Sequence, residues 1–224
     1  MKNKAIYILL LLAPLALFAQ PAPNPPPPVL FQQGMQAYNN QQFDAAIAAF
    51  TKFVNIKPNP TEKPPQKGAP NPAKKGEAYY YIGMSFLKKG NSDEAVTNLS
   101  KSIELHPDNP QAKLARGKIY VQQKKYDLAV GDLTAAANAM PQSEEAQNEL
   151  AMAYAWQNNY QASIDQFKKV LAINNRNAYA HYWIGLAYSK INQTGEAEDH
   201  WRQFLELCPS CPEAPQVSAF LNRR

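Results

Sequence analysis

The sequence predicts an all-α chain: a solenoid of five helix–turn–helix units closed by a C-terminal capping helix. Three observations carry that expectation. Gly34, Gly83, Gly117, Ala151 and Gly185 form one column of small residues, the last four standing 34 residues apart. Ala46, Ala95, Ala129, Ser163 and Ala197 form a second column, twelve residues behind the first. Proline then closes the units at Pro58, Pro107, Pro141 and Pro209, with Asn175 standing in once. A repeat of roughly 20–50 residues means stacked supersecondary units, none able to bury its apolar face alone.

Each element of a unit has its own signal. In the first helix, Phe86, Tyr120, Tyr154 and Tyr188 follow the small residue by three, Ala37 taking that place in unit one. In the second, Phe50, Leu99, Leu133, Phe167 and Trp201 follow the small residue by four. Offsets of three and four put these side chains on one helical face. Polar breaks between the helices (Asn39-Asn40-Gln41, Lys88-Lys89-Gly90-Asn91, Gln157-Asn158-Asn159) fit a short helix–helix turn. Proline cannot continue a helix and so ends the second one. Small residues at the two columns let the paired helix axes approach closely, and larger ones would overpack the crossing.

This small–aromatic–small–proline layout resembles the tetratricopeptide repeat. The resemblance covers units 27–60, 76–109, 110–143, 144–177 and 178–211, a repeat domain over residues 29–211. It implies a right-handed superhelix whose concave face is lined by the first helix of each pair, and a protein-binding rather than catalytic function. Residues flanking the packing columns would line that face: Phe31, Met35 and Tyr38; Tyr80, Met84 and Leu87; Leu114, Lys118 and Val121; Asn148, Met152 and Trp156; Tyr179, Tyr182 and Leu186. Aromatics and adaptable methionines suit an apolar or extended peptide, although some of these residues must also pack between neighbouring first helices. The candidate partner-binding groove is therefore Tyr80, Met84, Leu87, Lys118, Asn148, Met152, Trp156, Tyr179 and Tyr182. The family's clamp for chaperone C-termini uses Asn and Lys or Arg at such places, and only Lys118 and Asn148 echo it.

The ends and interruptions complete the organisation. Residues 1–19 read as a secretory signal peptide, with Lys2 and Lys4, an apolar run from Ala5 to Phe18, and Ala19 at the break. Leu17 is larger than the cleavage rule prefers, and no cysteine follows to take a lipid anchor. The run-out resembles export signals of Bacteroidetes-type bacteria, and the expected location is periplasmic or secreted. The apolar run is shorter than the ~20 residues that span a bilayer, so no membrane span is expected in the mature chain. Residues 20–28 form a proline-rich linker, residues 61–75 a Pro/Lys loop between units one and two, and residues 212–224 the capping helix.

Charge and chemistry exclude more than they offer. The chain carries +5; without Lys2 and Lys4, 21 basic residues face 18 acidic ones, leaving +3. That is too little, and too scattered, for nucleic acid. Arg116 stands where other units carry Ile82, Leu150 and Ile184, so it needs a partner, with Asp132 or Glu149 the candidates. The three histidines, His106, His181 and His200, are read as separate, and no metal, cofactor or catalytic site is expected. Cys208-Pro209-Ser210-Cys211 reads as a short disulfide pinning the last repeat to its cap. Three functions compete: an adaptor binding a protein or peptide segment, a self-associating homo-oligomer, and a thiol-disulfide factor using Cys208 and Cys211.

Overall fold

A computed structural model describes residues 25–57 and 70–222. The expected signal peptide, residues 20–24 of the linker, residues 58–60 of unit one with its closing Pro58, residues 61–69 of the loop and residues 223–224 of the capping segment lie outside the described residues. Those described form helices without a strand: α1 (Pro27–Asn39), α2 (Phe43–Val54), α3 (Pro72–Lys88), α4 (Ser92–Leu105), α5 (Pro110–Gln122), α6 (Tyr126–Ala139), α7 (Glu144–Trp156), α8 (Tyr160–Ile173), α9 (Ala178–Lys190), α10 (Thr194–Leu207) and α11 (Ala214–Leu221). Consecutive helices pack on one another along the whole series, and first helices also touch at the α1–α3, α5–α7 and α7–α9 junctions. The result is the all-α helical solenoid expected.

Helix starts follow from side-chain caps. Asn71, Asn109, Ser143 and Asn177 accept the backbone N–H of Lys74, Ala112, Ala146 and Ala180 at 2.7, 3.1, 3.2 and 2.8 Å. Each bond satisfies one of the donors that a helix start leaves orphaned. Pro72 and Pro110 follow two of these caps, where a missing N–H costs nothing. The Asn71–Pro72 start also moves a boundary: residues 72–75 are the first turn of α3 rather than the end of the loop. Likewise Pro27 and Pro28 of the expected linker open α1.

The turn inside each unit is a column that the sequence reading did not find. Gln41, Gly90, Lys124, Asn158 and Asn192 all have positive φ, between 59° and 83°. Each lies seven residues after the first small column. The next residue donates its N–H back five positions (Gln42 to Ala37, Asn91 to Phe86, Lys125 to Tyr120, Asn159 to Tyr154, Gln193 to Tyr188) at 2.8–3.0 Å. This is the Schellman closure of a helix end. It fixes the angle at which the second helix returns.

The returning helix meets the first at the small column. A methyl at Gly34 would lie 2.7 Å from the Phe50 ring, at Gly83 2.8 Å from Leu99 Cγ, at Gly117 2.7 Å from Leu133 Cγ, and at Gly185 2.5 Å from the Trp201 ring. The large residue of each second helix thus seats on the bare backbone of its own first helix. Phe50, Leu99, Leu133 and Phe167 are fully buried there, and Trp201 nearly so. Unit four varies the device: its first column carries Ala151, and the second carries Ser163, whose hydroxyl donates to the Ala151 carbonyl at 2.9 Å.

At the far end, α11 covers unit five. Ala214 and Val217 are buried, and Phe220 meets Trp201 edge-on at 4.7 Å. The Cys208 and Cys211 sulfurs lie at 2.03 Å. Cys211 stands 34 residues after the capping Asn177, and its N–H reaches the Cys208 carbonyl at 3.2 Å. The same bond joins Asn109 to His106, Ser143 to Met140 and Asn177 to Asn174 at 2.9–3.1 Å. The cysteine pair therefore occupies the ordinary inter-unit turn, at the place where other units carry a polar cap.

Two glycine substitutions separate packing from propensity. Gly131→Ala in α6 meets no atom within 4 Å and should stabilise by up to about 1 kcal/mol. Gly117→Ala in α5 should destabilise by about 1 kcal/mol or more, because Leu133 must shift. Urea unfolding of both variants checks this, and equal midpoints would remove the packing explanation. At the turn, Gly90→Ala should lower stability by about 1 kcal/mol, since alanine resists the φ of 83°.

Candidate partner-binding site

Two cavities on the face built by the first helices gather most of the expected groove residues. One, of about 480 Å³, lies between α3 and α5. Tyr80, Met84 and Leu87 line it at helical spacing from α3, Leu114 and Lys118 from α5, and Glu145 reaches in from α7. Four of the expected groove residues thus share one cavity. Leu114 corrects the sequence reading in part, because it is buried and acts as floor rather than as a free anchor.

Lys118 carries no spare charge. Its ammonium donates to Glu145 Oε1 at 2.6 Å, with Glu149 Oε1 at 3.5 Å. Burial works against that charge, but the hydrogen bonds and charges of the two carboxylates outweigh it and hold its pKa above the ordinary value. Tyr80 is pushed up to about 12, mainly by burial and then by Tyr38, Tyr81 and Glu145, so its hydroxyl stays neutral. The cavity has apolar walls and a polar rim of Lys88, Gln111, Gln122 and the paired Lys118.

The second cavity, about 670 Å³, lies between α7 and α9. It gathers the expected Asn148, Met152 and Tyr179, and adds Glu144, Glu145, Asn177 and Trp183, which the sequence reading missed. Glu144 is held by the side-chain amides of Asn177 (2.7 Å) and Asn174 (3.1 Å) donating to Oε1, Asn174 also reaching Oε2 at 3.2 Å. Trp183 stands edge-on to Trp156 at 5.6 Å and to Tyr182 at 5.7 Å. Trp156 opens on a smaller recess of about 140 Å³ beside Trp183, Tyr160 and Lys190, and is 45% exposed. Tyr182 is placed differently from the rest. Its ring packs on Phe204 at 5.3 Å and its carbonyl accepts the Trp201 indole N–H, which ties α9 to α10. A signal for Trp183 was present: an aromatic that belongs to neither packing column.

Two polar clusters sit between the helices of single units. Arg116 pairs with Asp132 through two bonds of 2.7 and 2.8 Å, and donates to Ser100 Oγ at 2.9 Å, which settles the choice between Asp132 and Glu149. The fork geometry satisfies a partly buried guanidinium. The histidines are not separate as expected. His181 and His200 both belong to unit five, and their Nδ1 atoms meet at 3.0 Å. Burial lowers both, and for His200 the neighbouring His181 and Lys168 add to it against Asp199, bringing its pKa to about 4. No cluster of three metal-ligating side chains occurs among the described residues.

Comparison with known proteins agrees with the geometry. Family profiles described as tetratricopeptide repeat match residues 80–144 and residues 29–59 and 179–210, and one described as TPR repeat matches residues 153–192. The chain belongs to the tetratricopeptide repeat family. Among curated relatives of this TPR chain, anaphase-promoting complex subunit 3 of Schizosaccharomyces pombe is 20% identical over 75% of this chain and 23% of its own. The BBSome complex member bbs-4 of Caenorhabditis elegans is 24% identical over 79% of this chain and 35% of its own. The TPR chain therefore spans about a third or less of these relatives. Among solved structures, MamA AMB-1 matches with a TM-score of 0.69 at 22% identity, over 83% of this chain and 93% of its own. A second structure of the MamA protein gives 0.68 at 21%, over 82% and 92%. At such identities the likeness carries the fold.

The histidine pair gives the TPR fold an acid-sensitive joint. Both histidines have folded-state pKa values below the ordinary 6.5, so the unfolded chain binds more protons as pH falls. Stability should be complete above pH 6.5 and drop progressively as pH falls toward about 4. Urea midpoints across that window should show the decline, and His200→Gln should flatten it.

Proposed function

We propose that this chain is a non-enzymatic, exported adaptor of the bacterial envelope that binds an extended segment of another protein on the face of its first helices. The observation that carries the reading is the cavity between α3 and α5. Its apolar walls, Tyr80, Met84 and Leu87, take no part in either small-residue packing column, and of the two lysines that line it, Lys88 and Lys118, the second is already paired with Glu145 and Glu149. Such a cavity suits apolar anchor side chains, each worth about 1.5–3 kcal/mol before ordering costs. Two or three anchors reach micromolar affinity, about 8 kcal/mol. Two of the relatives are by name members of multi-protein complexes, which is in keeping with a scaffold.

An acidic C-terminus is a poor candidate for this site, since Lys118 would have to exchange Glu145 and Glu149 for it. Export is supported by residues 1–19, and no helix among the described residues is long and apolar enough to cross a membrane. The cysteine pair supports a structural rather than a redox role, because it replaces an ordinary inter-unit cap.

The test is a double variant, Tyr80→Ala with Met84→Ala, used in crosslinking from envelope extracts. Recovery of the principal partner should drop at least about tenfold while the helical circular dichroism is kept, tenfold being 1.4 kcal/mol. Full recovery by a folded double variant would refute the assignment.

A further inference from the structure

The cavity between α7 and α9 differs in chemistry from its neighbour. In a chain of net positive charge, none of the described residues lining it is cationic. Glu144 is held by neutral amides alone, with no ion pair among the described residues. Tyr179, 42% exposed, donates its hydroxyl to a further carboxylate, Glu213, at 3.2 Å. The Trp183 ring is fixed edge-on by Trp156 and Tyr182. Prepositioned carboxylates beside aromatic faces attract a lysine ammonium through charge and through the ring quadrupole. Aromatic-lined grooves also accept proline-rich segments, whose restricted backbone loses little entropy on docking.

This chain itself carries a segment of that composition. Residues 58–69 hold Pro58, Pro60, Pro64 and Pro65 with Lys63 and Lys67 against a single Glu62. We propose that the α7–α9 cavity is the docking site for residues 58–69 of a second copy of this chain. Reach favours a second copy over the segment of the same copy. Its twelve residues are tethered at Lys57 and Pro70, so its midpoint extends about 20 Å at ~3.3 Å per residue. The cavity lies more than two helix spacings from α3, about 20–25 Å at 8–10 Å each. No length is then left to lie along the site. Lys63 and Lys67 enter beside Glu144 and Tyr179, and the prolines lie against Trp183.

The inference rests on the reading of this face as a peptide-binding surface, but uses a different cavity. Sedimentation velocity of the mature protein should show concentration-dependent self-association that weakens with added salt. Glu144→Lys, and separately Lys63→Glu with Lys67→Glu, should each weaken it at least about tenfold. The lysine pair changes no residue of the described helices, and unchanged helical circular dichroism keeps misfolding from accounting for its effect. Combining the three changes should restore association. A wild type that stays monomeric, lysine variants that associate normally, or a combined variant that stays monomeric would each overturn the docking. Because Tyr80 and Met84 are unchanged, partner recovery in the crosslinking assay reports separately on the α3–α5 cavity.

Discussion

The structure depends on one steric constraint: the large residue of each second helix must seat on a nearly bare patch of its own first helix. Phe50, Leu99, Leu133 and Trp201 each approach a glycine so closely that even a methyl group would collide with them. That contact sets the distance between the paired axes, and a repeated distance makes a regular stack. Units in such a stack couple mainly to their neighbours, so an error in one crossing displaces everything beyond it. The left-handed turn residue makes the contact possible. It brings the chain back at an angle where the large residue, sixteen positions after the glycine, lands on it.

The same register explains where polar chemistry appears. Arg116 and Asp132 are also sixteen apart, and His181 and His200 nineteen, so each pair faces across one helical hairpin. The Arg116 fork stabilises a crossing where the neighbouring units carry Ile82 and Leu150 instead. The histidine pair makes unit five sensitive to acid. At the end of the stack, the cysteine pair takes over the turn that Asn or Ser caps elsewhere, joining α10 to the short α11 where there is no longer a full unit to pack against.

Most of the fold was legible in the sequence because small and large residues are forced by contact and therefore recur in phase. Gly34, Gly83, Gly117 and Gly185 could be read directly. The turn column could not, because Gln41, Lys124 and Asn158 share a backbone conformation but no side-chain chemistry. The candidate site was legible in outline: Tyr80, Met84, Leu87 and Lys118 do share a cavity. What the sequence concealed was the traffic between units. Glu145 reaching back to Lys118 occupies the lysine of an apparent anion grip, and Asn174 and Asn177 reaching across to Glu144 create an acidic site. These pairs are 27 to 33 residues apart, close to one repeat, and only the stacking distance brings them together.

The seating of large on small is tested most directly by a double-mutant cycle between Gly117 and Leu133. Gly117→Ala alone crowds the crossing, and Leu133→Ala alone leaves a cavity costing about 2–5 kcal/mol. The account predicts that the two changes are not additive: the new methyl fills part of the space that Leu133 vacates, so the pair is coupled by about 1 kcal/mol or more. Unfolding free energies that simply add would contradict it.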